Sequence, residues 1–139
     1  MNNRKTGLFL AAACLSLTLL TGCSAESTKN YKQAAQDLEN GNYEVALEEY
    51  EAAISAGVKP AQSYRGAGVA QLKLGNCDEA VTYFSNALDC DKVGKALKKD
   101  ILSYRAAAYL KLKEYEEAMA DCQALAESYN MDADLYFLT

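Results

Sequence analysis

The side chains able to do chemistry in this chain are few and poorly grouped. There is no His among its 139 residues, which removes imidazole bases, Ser-His triads and His metal ligands together. Five Cys stand at 14, 23, 77, 90 and 122 with no C-x-x-C spacing, so a thiolate metal site is not expected. No Ser or Cys has a base beside it, paired carboxylates fall in runs that suit solvated helix faces, and no phosphate-cradling Gly loop occurs. The expectation is a protein without catalysis, cofactor or metal. Its 19 acidic against 14 basic side chains argue against broad nucleic-acid binding, which needs positive charge to neutralise phosphates.

Cys23 stands apart because of what precedes it. Arg4 and Lys5 lie in a start without acid, and Leu8 to Leu20 then form an uncharged stretch, LFLAAACLSLTLL. A basic region followed by a short apolar core has the form of a secretory signal. At 13 residues it is shorter than the ~20 needed to span a bilayer as a helix. The stretch ends Leu20-Thr21-Gly22-Cys23, which resembles the bacterial lipobox. That resemblance implies a signal peptide over 1–22, diacylglyceryl transfer to the Cys23 thiol, and a palmitate-type lipid anchor. It implies a lipoprotein on the cell membrane or the outer membrane, facing outside the cytoplasm, and Ser24 leaves the outer membrane open. Residues 23–28 read as a short polar tether. From Cys23 onward 12 basic side chains face 19 acidic ones, a net of −7.

The remainder, 29–139, is repetitive. Ala46, Ala80 and Ala118 open matching segments, 34 and then 38 residues apart. Repeat one carries Ala34, Ala46, Tyr50 and Ala53, repeat two Gly68, Ala80, Phe84 and Ala87, and repeat three Ala106, Ala118, Cys122 and Leu125. Small residues at matching places let paired helices approach closely, and the aromatic beside them fills space. These residues resemble the tetratricopeptide repeat, a helix–turn–helix unit. The resemblance implies an all-α solenoid of about three repeats (27–60, 61–94 and 99–132) plus a partial fourth helix over 133–139. That last segment either caps repeat three or begins a longer array. The residues added between 91 and 99 predict a longer loop or an extended first turn in repeat three.

Local signals agree. Gly41 and Gly75 suit left-handed helix ends, and Pro60 suits a first helical turn. Asn76 with Glu79 has the form of a capping box. Arg105 faces Asp121 across the third repeat, which predicts an ion pair between its two helices. Cys77 and Cys90 bracket one helix about 20 Å long and cannot pair. Cys122 replaces a core aromatic and is expected to be buried.

The repeat family's concave positions fall here on Tyr31 and Leu38, on Arg65, Val69, Leu72 and Lys73, and on Leu110 and Lys111. They predict a mildly apolar groove with basic side chains, while the second helices carry acid at Glu44, Glu48, Glu49, Glu51, Glu114, Glu116, Glu117 and Asp121. Lys and Arg there would suit carboxylates on an extended or helical partner segment, although Lys73 and Lys111 also lie where helix C-termini favour cations. Tyr31 and Tyr64 are the tyrosines expected to be better exposed. The Lys and Asn set of the family's carboxylate clamp is missing, since Tyr31, Ala35, Gly66, Asp100 and Tyr104 hold its places. The expected function is a membrane-anchored adaptor or scaffold for a protein partner. An assembly factor of an envelope secretion or pilus complex, and the front of a longer array or enzyme, are the alternatives.

Overall fold

A computed structural model describes residue 26 and residues 28–137, with side-chain surroundings as far as Tyr129. The Leu20-Thr21-Gly22-Cys23 segment lies outside the described residues. Six helices follow one another there: α1 over 28–40, α2 Tyr43–Ser55, α3 Pro60–Leu74, α4 Cys77–Leu88, α5 Lys95–Leu112 and α6 Tyr115–Phe137. No strand occurs among the described residues. From α2 onward each helix packs on its chain neighbours, and α3 also reaches α5, so the first helix of one repeat lies against that of the next.

The turns inside the repeats share one construction. The N–H groups of Gly41 and Asn42 donate to the Leu38 and Asp37 carbonyls, and those of Gly75 and Asn76 to Leu72 and Gln71. Gly41 has φ +85 and Gly75 φ +91, the left-handed conformation that a glycine adopts without a Cβ penalty. Lys113 takes the same place in the third turn at φ +65. The expected cap on α4 does not form. Asn76 makes no side-chain cap bond, and its Nδ2 instead donates to Gln71 Oε1 at 2.8 Å. The tight turn leaves the amide over the end of α3, where Gln71 offers an acceptor.

Pro60 is at the start of α3. The added residues of repeat three divide between helix and loop: α5 has 18 residues where α3 has 15, and the connection over 89–94 is longer than that over 56–59. Residues 133–137, expected to open a fourth repeat, continue α6 without a break. No Gly or Pro lies between Tyr115 and Phe137 to stop it.

Small residues form the spine of the core. Ala34, Ala46, Ala53, Ala80 and Ala87 are wholly buried, and Ala118 nearly so. Tyr50 and Phe84 fill the gaps between helices. A Cβ on Gly66 would come within 2.2 Å of the Tyr50 ring, and one on Gly68 within 2.7 Å of Phe84. Each aromatic therefore fits only because α3 presents glycine there.

Candidate functional site

The first helices line a groove. Ala35, Leu38 and Glu39 from α1, Tyr43 and Tyr50 from α2, Arg65, Val69 and Lys73 from α3, and Tyr104 from α5 surround an open cavity of about 270 Å³. Four of the expected concave residues, Leu38, Arg65, Val69 and Lys73, come together there. Tyr43 and Tyr104 were not expected. Tyr104 stands where repeat two has Gly66, so a large ring in a small-residue position was the available signal.

The others fall elsewhere. Leu72 is buried in the core with Cys77, Phe84 and Ala108, because α5 lies over it. Leu110, the matching residue of repeat three, is 54% exposed, and Lys111 is exposed in the last turn of α5. Tyr31 is half-buried and meets Tyr50 edge-on at 6.1 Å, with Lys59 Nζ 4.9 Å from its ring. Tyr64 is likewise half-buried, 6.4 Å from the Tyr83 ring. Both tyrosines serve packing.

The groove's charges are not equivalent. Arg65 Nε donates to Asp100 Oδ2 at 2.6 Å, and its guanidinium stands 5.0 Å from the centre of the Tyr104 ring. Asp100, which holds one of the clamp places, thereby engages a groove cation. Lys73 is exposed on the groove's rim and is the cation more available to a visiting carboxylate. Burial pushes the Tyr50 hydroxyl up to about 12, so it stays neutral at physiological pH.

The acidic exterior holds for Glu44, Glu48, Glu51, Glu116 and Glu117, which are exposed. Three acids are interior. Asp121 is buried at 5% exposure, where Arg105 Nη2 donates to its Oδ1 at 2.7 Å. Glu49 is half-buried beside Asp37. Asp37 accepts from Asn42 Nδ2 at 2.9 Å and Gln33 Nε2 at 3.1 Å. No group of His, Cys, Asp or Glu able to hold a metal ion occurs among the described residues, and no described helix is long and apolar enough to cross a membrane.

A family model described as Tetratricopeptide repeat matches residues 31–95 and again 66–133. The chain belongs to the tetratricopeptide repeat family. A solved structure described as MamA RS-1 ArsTM double mutant is similar at 16% sequence identity and a TM-score of 0.67, covering 88% of this chain and 71% of that one. That likeness shows the fold. A search of curated proteins finds no match.

In this tetratricopeptide array Cys122 corrects the expectation of burial. It is exposed, although its counterparts Tyr50 and Phe84 are buried. Those two are covered by the first helix of the following repeat: Tyr50 meets Gly66 of α3, and Phe84 stacks on Tyr104 of α5 at 6.0 Å. Among the described helices α6 packs against α5 alone, so no described helix lies over Cys122.

Proposed function

We propose that the protein is a lipid-anchored adaptor whose groove holds a segment of a partner protein. The observation that carries the groove is its lining: apolar Leu38 and Val69 beside Tyr43 and Tyr104, with Lys73 and Glu39 as the exposed charges at the edge. A peptide docks in such a groove by burying apolar side chains between rings, and one charge fixes its direction. Because Asp100 already engages Arg65, Lys73 is the cation assigned to the partner's carboxylate.

The anchor is supported by sequence. Arg4, Lys5, the 13-residue apolar core and Leu20-Thr21-Gly22-Cys23 are the order that lipid modification of Cys23 requires. Two or more acyl chains hold a protein far better than one. The tether from Cys23 to α1 then keeps the array close to the cell membrane or outer membrane, outside the cytoplasm. Fractionation tests this half: wild type stays with membranes and Cys23→Ser is released or remains unprocessed. Acylated, membrane-bound Cys23→Ser protein would contradict it. For the groove, Lys73→Glu is expected to weaken partner capture from solubilised membranes, while Lys111→Glu, remote from the cavity, leaves it unchanged.

A further inference from the structure

The lysines of this acidic array are unevenly placed. Lys29 and Lys32 stand at the start of α1, Lys59 is the N-cap of α3, and Lys92, Lys95 and Lys98 lead into α5. All six are exposed. Lys59 Nζ lies 4.9 Å from the centre of the Tyr31 ring of α1. Pro60, Ala61 and Gln62 at the start of α3 share one cavity wall with Lys92 and Lys95. The starts of the three first helices therefore form one edge of the array. That edge carries half of the basic side chains found from Cys23 onward.

Acids stand there too. Asp91 shares the cavity with Lys92, Glu127 borders Lys95 and Lys98, Asp89 ends α4, and Glu26 precedes α1. Asp132 and Asp134 fall in the last turns of α6. Lys99, 4.0 Å from the Tyr129 ring, adds one more cation, so charge on this edge nearly balances. The opposite edge does not balance. The first turns of α2, α4 and α6 hold Glu44, Asp78, Glu79, Glu116 and Glu117, and Lys73, Lys111 and Lys113 offset only part of that acid.

The lysines do not serve their own helices. A helix start carries partial positive charge and favours acids. The first turns of α3 and α5 contain no acid, and that of α5 has Lys95 and Lys98 instead. A sequence that works against its local structure marks a place where something else is required of it.

This edge is also the one nearest the anchor. Five residue steps separate Cys23 from Thr28 at the start of α1, which extended chain spans in ~18 Å at most. A protein held at Cys23 therefore keeps this edge close to the headgroups, where a lysine senses anionic phosphates over a Debye length of ~10 Å.

We propose that the edge formed by the starts of α1, α3 and α5 rests on anionic phospholipid headgroups, with the acidic edge turned away. Each lysine near such a surface adds attraction, and the far acids are repelled, so both edges set one orientation. Lys73, in the last turn of α3, then lies on the side away from the membrane, where a partner can reach it. The orientation rests on the anchor at Cys23.

Full-length protein, extracted in detergent and inserted into preformed vesicles, tests it. The vesicles are phosphatidylcholine alone or with roughly one third phosphatidylglycerol. A neutral amine-acylating reagent is added briefly, and the rate at each lysine is read by mass spectrometry. Lys32, Lys59, Lys92 and Lys98 should react at least about threefold more slowly on the anionic vesicles, and about 1 M salt, with a Debye length of ~3 Å, should remove the difference. Lys73, Lys111 and Lys113 should react alike on both. The exposed substitutions Lys92→Glu/Lys95→Glu/Lys98→Glu should abolish protection at Lys32 and Lys59 while the circular dichroism spectrum and flotation with neutral vesicles persist. Protection no greater on anionic than on neutral vesicles, or equal on both edges, would overturn the proposal. Flotation with neutral vesicles reports the anchor alone. Protein that fails it, yet floats with anionic vesicles and shows the lysine pattern, would overturn the anchor and leave the lysine edge standing.

Discussion

Arg105 holds Asp121 with two parallel bonds, Nε to Oδ2 at 2.9 Å and Nη2 to Oδ1 at 2.7 Å, while Nη1 reaches Ser85 Oγ at 2.9 Å. One side chain thus ties α5 to α6 and to α4. The fork geometry fixes orientation as well as distance. The Asp121 carboxylate raises the guanidinium's affinity for its proton, burial opposes it, and the pair wins. Removing one partner leaves the other charge poorly solvated. Asp121→Ala should cost about 3 kcal/mol in urea unfolding. Arg105→Met/Asp121→Leu should recover much of that loss, because the desolvation cost disappears with the charges.

Glycine in a helix interior is usually replaced by alanine with a gain of about 0.5–1 kcal/mol. Gly66→Ala should do the opposite. Its Cβ would sit 2.2 Å from the Tyr50 ring, and overpacking of this kind costs about 1–3 kcal/mol or more. Trimming the ring should relieve the clash, so Tyr50→Leu is expected to be less harmful in the Gly66→Ala background than alone. A double-mutant cycle by thermal melting measures the coupling.

At the third turn the sign reverses again. Lys113 holds φ +65, where Gly41 and Gly75 hold the first two turns. Lys113→Gly removes a Cβ from a left-handed residue and should stabilise by a few tenths to about 1 kcal/mol. Gly75→Ala should destabilise by a similar amount. Chemical unfolding of both variants checks the pair.

The Asp37 and Glu49 carboxyls share one site. Hydrogen bonds from Asn42 and Gln33 hold Asp37 below the ordinary value of 3.8. Burial, and then the Asp37 charge, hold Glu49 above the ordinary 4.5. Glu49 Oε2 is buried without a hydrogen-bond partner. A raised pKa favours folding while the group is protonated, so Glu49's contribution is lost as pH rises through and beyond 4.5. Asp37 acts in the opposite sense, and its contribution is lost as pH falls from 3.8 through its lowered value. Glu49→Gln supplies an amide donor toward Asp37 and removes the charge. Its melting temperature should exceed wild type by about 1–4 °C at neutral pH, with the difference shrinking toward pH 4.5.

The repeat register was legible because small side chains leave little choice. Ala46, Ala80 and Ala118 must face a neighbouring helix, and all three are buried. The Arg105–Asp121 pair was legible for the same reason, since the register puts both on facing helices. The groove was read only in part. Leu38, Leu72 and Leu110 hold one repeat position, yet they line the cavity, fill the core and face outward in turn. What decides is the helix of the following repeat, which one repeat's own sequence does not specify. Cys122 failed by the same cause. Asp100 against Arg65 spans 35 residues across two first helices, and charge patterning along one helix does not reveal such a pair.

The most direct test of the adaptor account is site-specific photocrosslinking in living cells. A photoreactive residue at Ala35, on the groove wall, is compared with one at Glu48, exposed on α2. The account predicts a discrete protein adduct from Ala35 that Lys73→Glu weakens, and no such adduct from Glu48. An adduct from Glu48 with none from Ala35 would contradict it and move partner contact to the acidic outer face.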